Sequence, residues 1–159
     1  MSRKHAAHEM EELHNHEDQE MEEIYNTIQT TGYMSLDTRK FDLLIQLLND
    51  PTRIFKRLQF RRGRLTSDHT NVVARLSEAL ESRSSQLEEL DLESFKTNDG
   101  GAHALSNFVK TTSSLCKLRL NDCKIDGTGA FLIGESLHTN TCIQKLHLDN
   151  NSIGDDGAI

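Results

Sequence analysis

The stretch LCKLRLNDCKI, residues 115–125, decides how the rest of the chain is read. Leu118 and Leu120 alternate with Lys117, Arg119 and Asn121 at the period of a β-strand, whose side chains point to opposite faces in turn. Leu115 and Ile125 bracket that alternation at wider spacing, so a short strand lies inside a longer frame of apolar positions. The frame recurs. LEELDLESFKT begins at Leu87 and IQKLHLDNNSI at Ile143, each 28 residues from Leu115. Gly101-Ala102, Gly129-Ala130 and Gly157-Ala158 keep the same period. A weaker copy, FKRLQFRRGRL, begins at Phe55, 32 residues before Leu87. Fixed-period self-similarity of this length predicts stacked structural units.

The form L-x-x-L-x-L-x-x-N/C-x-I, followed by Gly-Ala and a helical run, resembles the leucine-rich repeat. The period and the Gly-Ala pair resemble its ribonuclease-inhibitor-like subclass, as in NOD-like receptors and Ran GTPase-activating proteins. The resemblance covers residues 55–159. It implies an α/β fold: a short solenoid with parallel strands on one face, helices on the other and an N-terminal helical cap. The expected strands lie near 55–60, 88–92, 116–120 and 144–148, and the expected helices near 70–82, 101–111 and 129–138.

Each unit has a physical logic of its own. Leu118 and Leu120 point inward, and the position of Cys123 and Asn151 suits a small polar side chain that bonds backbone left unpaired by the turning chain. Phe95 and Gly63 hold that position in the second and first units, and Thr97 replaces an aliphatic residue, so the second turn is expected to be irregular. Gly129 is expected to let its helix approach the strand layer closely. Ala130, Ile133 and Leu137 then form a buried helical stripe, as Ala102, Leu105 and Val109 do one unit earlier.

Three domains are expected: residues 1–31, 32–51 and 52–159. Residues 1–31 hold eight Asp and Glu against Arg3 and Lys4, a net of −6 within a total of −7. Such an acidic, weakly apolar segment reads as a frayed helix or a mobile tail. His5 and His8 would share a helix face, but without HExxH or a cysteine the segment has no dedicated metal site, and no cofactor is expected. In SLDTRKFDLLIQLLND, residues 35–50, Ser35 or Asp37 can cap a helix carrying Phe41, Leu44, Ile45 and Leu48 on one stripe, widened by Leu43 and Leu47. Pro51, the single proline, ends it. This helix suits the end cap of a solenoid, where an apolar face and a strand edge would otherwise be bare.

With 35% hydrophobic residues and no apolar run near ~20 residues, the chain is expected to be soluble. No secretory h-region opens it, and three cysteines without metal spacing suit reduced thiols. The expected location is the cytoplasm, with the nucleus as an alternative. Catalytic motifs are missing: Glu135 follows Gly129-x-x-x-x-Gly134 where a P-loop needs lysine, and no G-x-S-x-G appears. An enzyme is not expected. RIFKRLQFRRGR, residues 53–64, has six Arg and Lys, a nucleic-acid signal on its own. The repeat register instead sets Arg57 beside Glu89, Glu89 beside Lys117, Asp91 beside Arg119 and Arg61 beside Glu93, which favours charge pairing between strands.

The expected function is protein–protein recognition through the strand face, as a scaffold. Arg57, Glu89, Asp91, Lys117, Arg119, Lys145 and His147 are the expected partner contacts. Lys117, Arg119, Lys145 and His147 form a basic cluster suited to an acidic partner, and the edge of the last strand suits self-association. Two alternatives stand beside this: a regulator of a nucleotide-binding partner such as a small-GTPase activator, and a fragment of a larger leucine-rich-repeat receptor or scaffold, since Ile159 falls where a helix should begin.

Overall fold

Leucines at one fixed offset stack on one another. Leu58 stands opposite Leu90, Leu90 opposite Leu118 and Leu118 opposite Leu146, each on its own strand. The computed structural model describes residues 3–31, 33–35, 37–61, 71–81 and 86–155, without side chains for 3–12, 33–35 and 61. Its elements are α1 (Arg3–Thr31), β1 (Tyr33–Ser35), α2 (Thr38–Asn49), β2 (Arg57–Arg61) and α3 (Val72–Glu81), followed by β3 (Glu89–Asp91), α4 (Asp99–Thr111), β4 (Lys117–Arg119), α5 (Gly127–Thr139) and β5 (Lys145–His147). Among the described residues the five strands form one parallel sheet in chain order. Helices connect successive strands, as parallel pairing requires.

The strands β2 to β5 and the helices α3 to α5 fall where the period places them. Asn98 and Asp126 cap α4 and α5 by accepting the N–H groups of Gly101 and Gly129, both at 2.8 Å. At Gly129 a Cβ would stand 3.1 Å from Ile125 Cγ2 and 3.3 Å from Ala102 Cβ. The close approach is therefore to the preceding helix as well as to the chain leaving β4. The third pair, Gly157-Ala158, lies outside the described residues, as do Gly63, Arg62 and Arg64.

The second turn is irregular only in part: the left-handed φ of Lys124, 56°, has no counterpart at Lys96, 28 residues earlier. Ser94, Asp122 and Asn150 occupy equivalent positions with φ of 66°, 55° and 58°. Ser94 N–H donates to Asn121 O at 2.9 Å, as Asp122 N–H does to Asp149 O, but Thr97 N–H donates to Cys123 O at 2.7 Å where Ile125 N–H uses the Asn151 side chain. Phe95 is buried edge-on against Phe60, ring centroids 6.1 Å apart, so an aromatic fills the space where the third and fourth units hold Cys123 and Asn151. In those units the polar group does bond backbone. Asn151 Oδ1 accepts from Cys123 and Ile125 N–H, both at 3.0 Å, and Cys123 Sγ donates to Leu92 O at 3.0 Å.

The N-terminal segment takes the helical one of its two expected forms, and its C-terminal part is docked rather than frayed. Residues 3–31 are one helix, and Ile24 and Ile28 are 5% and 3% exposed within the core. Met21, Ile24, Tyr25 and Ile28 recur at helical spacing, and this stripe docks although the segment as a whole is polar. Arg53 fixes the contact, meeting Glu22 at 2.6 Å and lying 4.5 Å from the Tyr25 ring centre. Leu13, nearer the N-terminus, is exposed. The strand β1 was also unforeseen; it pairs with β2 from Tyr33↔Gln59 to Ser35↔Arg61.

Asp37, rather than Ser35, caps α2, accepting Lys40 N–H at 2.9 Å, and Asp50 is extended before Pro51. Leu43 and Leu47 are buried while Ile45 is only half-buried. The apolar stripe turns because α1 covers this side: Arg39 meets Glu20 at 2.8 Å and Gln46 meets Glu17 at 3.4 Å. On the other flank Arg75, from α3, bonds Asp42 at 2.8 Å.

Candidate functional site

The outward positions of β2 to β5 form one sheet surface because alternate residues of a strand share a face and the parallel register keeps them in rows. One row runs Arg57, Glu89, Lys117, Lys145 and the next runs Gln59, Asp91, Arg119, His147. The structure thus brings all seven expected contact residues onto one surface.

Its charges are not equivalent. Lys117 Nζ is bonded to Glu89, and Arg119 Nη1 lies 2.7 Å from Asp91 Oδ2. The acids are the more enclosed partners, with Glu89 and Asp91 side chains 18% and 10% exposed against 28% for both cations. The Asp91 carboxylate is used on both sides, since its Oδ1 accepts Glu93 N–H at 3.1 Å. The Lys117 hydrogen bond holds the Glu89 carboxyl below its ordinary value against the opposing effect of burial, with help from the charges of Lys117 and Arg119. Asp91 raises Arg119 in turn. Gln59 also helps to lower the Glu89 carboxyl, a contribution that its neutral side chain kept out of the expected set.

The basic cluster is accordingly narrower than expected. Lys117 and Arg119 face Lys145 and His147 across the β4–β5 pair, but their charges are turned back to the carboxylates of β3. Lys145 is exposed with a like charge opposite it, and His147 is half-buried. Arg57, at the other end of its row, is exposed beside Glu89. In the basic run, Arg53 and Lys56 serve acids, Lys56 meeting Glu88 at 3.2 Å. The pair between Arg61 and Glu93 lies outside the described side chains.

A leucine-rich repeat family model matches residues 139–159. The matched stretch carries β5, including Lys145 and His147, and the Asn151 that clasps the unit before it. A leucine-rich repeat is thereby supported at this end of the sheet. No curated protein matches the chain. No helix among the described residues is long and apolar enough to cross a membrane.

Proposed function

We propose that the chain is a short solenoid of ribonuclease-inhibitor-like leucine-rich repeats, capped at its N-terminal end by α1 and β1 together with α2, that binds a protein partner through the outward face of β2 to β5. The observation that carries this is the separation of roles in the two residue rows. Leu58, Leu90 and Leu118 are committed to the core, whereas the outward side chains form one largely charged surface. The pairs Lys117–Glu89 and Arg119–Asp91 make its centre rigid and nearly neutral. Arg57 and Lys145 supply exposed positive charge at its two sides, which suits an acidic protein segment lying across the strands. Recognition without catalysis, in the cytoplasm or nucleus, is the proposed role.

Arg57→Glu and Lys145→Glu, separately and together, test it. Proteins co-purified from native lysate at low and high salt are compared with those of wild type, with the fold checked by circular dichroism. Salt-sensitive partners lost from the double variant are expected, because exposed charge is screened by salt. The same partners held by all variants would overturn the proposal. In a parallel assay the chain should leave GTP hydrolysis by a small GTPase unchanged; acceleration would mark it as a regulator of nucleotide-binding partners.

A further inference from the structure

Building on the strand face as the recognition surface, we propose that Glu89 and Asp91 act as its built-in acidic ligand. They mask a basic patch that an acidic partner must engage with carboxylates of its own. The patch is formed by Lys117, Arg119, Lys145 and His147, two residues on each of two adjacent strands. All four side chains are basic, so Lys117 and Arg119 meet no acid on their β5 side. Their countercharges come from β3 instead, through the Lys117–Glu89 bond and the 2.7 Å contact of Arg119 Nη1 with Asp91 Oδ2.

The two sides of each pair are anchored differently. Asp91 is 7% exposed, and its Oδ1 also accepts Glu93 N–H at 3.1 Å, so this carboxylate is fixed from two directions. The cations arrive on long stems and keep 28% of each side chain exposed. An ammonium has three N–H donors and a guanidinium five, so each retains donors beyond the bond to its acid. A partner carboxylate can bond those donors without breaking the internal pair, but it meets a charge already neutralised. Lys117 and Arg119 lie two residues apart on one face, about 7 Å along the strand. The occupant that fits this spacing is an extended acidic segment of a protein, whose alternate carboxylates repeat at the same distance. One carboxylate gains little against the mask, whereas two engage both pairs together.

The purified full chain is titrated against fluorescein-labelled hexaglutamate at physiological salt, with binding read by anisotropy and each variant checked for native circular dichroism. Glu89→Gln/Asp91→Asn removes two charges but keeps an acceptor at each place, and should tighten binding about tenfold. Asp122→Asn/Asp149→Asn removes the same charge from the turns beyond the patch. Screening at that distance should hold its effect below about threefold. Glu89→Gln alone, the milder change, should tighten binding about threefold, and adding Lys117→Gln should cancel that gain. Equal tightening by the two double variants would be an effect of net charge and would overturn the proposal, as would a gain that survives Lys117→Gln. Binding that Arg57→Glu/Lys145→Glu abolishes but Glu89→Gln/Asp91→Asn leaves unchanged would remove the mask and spare the strand-face reading. Hexaglutamate held by no form of the chain would overturn both.

Discussion

Asn151 and Cys123 stand one repeat apart, and the Asn151 carboxamide accepts the Cys123 backbone N–H at 3.0 Å. It also accepts Ile125 N–H and donates to Leu120 and Leu148 carbonyls, both at 2.8 Å. One side chain thus bonds three backbone groups of the turn after β4 and one of its own turn. Asn151→Ala should cost about 2–3 kcal/mol, because several partly enclosed groups lose their bonds together. Urea denaturation measures it; a loss below about 0.5 kcal/mol would show that water replaces the carboxamide freely.

The Cys123 thiol should be inert in the folded chain. Burial pushes it up to about 12, while backbone hydrogen bonds oppose the shift only in part. Iodoacetamide should label exposed Cys116 in the native state and reach Cys123 only on unfolding. The neutral thiol also makes stability depend on pH. Its folded value lies above the ordinary 9.0, so its contribution is full below about pH 9 and is lost as pH rises toward 12. Cys123→Ala should flatten that alkaline decline.

Glu89 should act at the acid end. Its carboxyl is held below the ordinary 4.5, chiefly by the Lys117 hydrogen bond. A carboxylate lowered by folding stabilises above its unfolded value, and that stability is lost as pH falls through the folded one. Glu89→Gln should therefore cost about 1 kcal/mol at pH 7 and progressively less below about pH 4.5. Urea midpoints at several acid pH values test the convergence of the two proteins.

The docked end of α1 should matter to stability. Ile28→Asp places a carboxylate in a site 3% exposed and should cost about 3 kcal/mol or more. Leu44→Asp, at 0% exposure on α2, should cost at least as much. Leu13→Asp should change the melting temperature little, since that residue is exposed. Equal melting curves for Ile28→Asp and wild type would show that α1 is not held by its apolar stripe.

The repeat frame was legible because the same apolar positions return at 28 residues, so strands, helices and register followed from spacing alone. The pairing of Glu89 with Lys117 and of Asp91 with Arg119 was legible for the same reason. What escaped were contacts outside that frame. Ile24 and Ile28 lie in a segment whose average polarity hides a short apolar stripe, and the three residues of β1 carry no repeat at all. The basic cluster was overread because position along the strand does not say which neighbour a long cation turns to. Lys117 had an acid on one side and Lys145 on the other, and the acid holds it.

Many clasps between units reach backward along the chain. Ser114 donates to Leu87 O, Cys123 to Leu92 O, Asn140 to Val109 and Thr112 carbonyls, and Asn151 to Leu120 O. Asn121 reaches forward, accepting Asp149 N–H. During synthesis from N- to C-terminus, the turn after β4 therefore waits for its closing side chain until Asn151 has left the ribosome, 28 residues after Cys123. At ~5–20 residues per second that is a delay of roughly 1–6 seconds. A chain released before that point would carry β4 and α5 in full and still leave the last turn it had made undone.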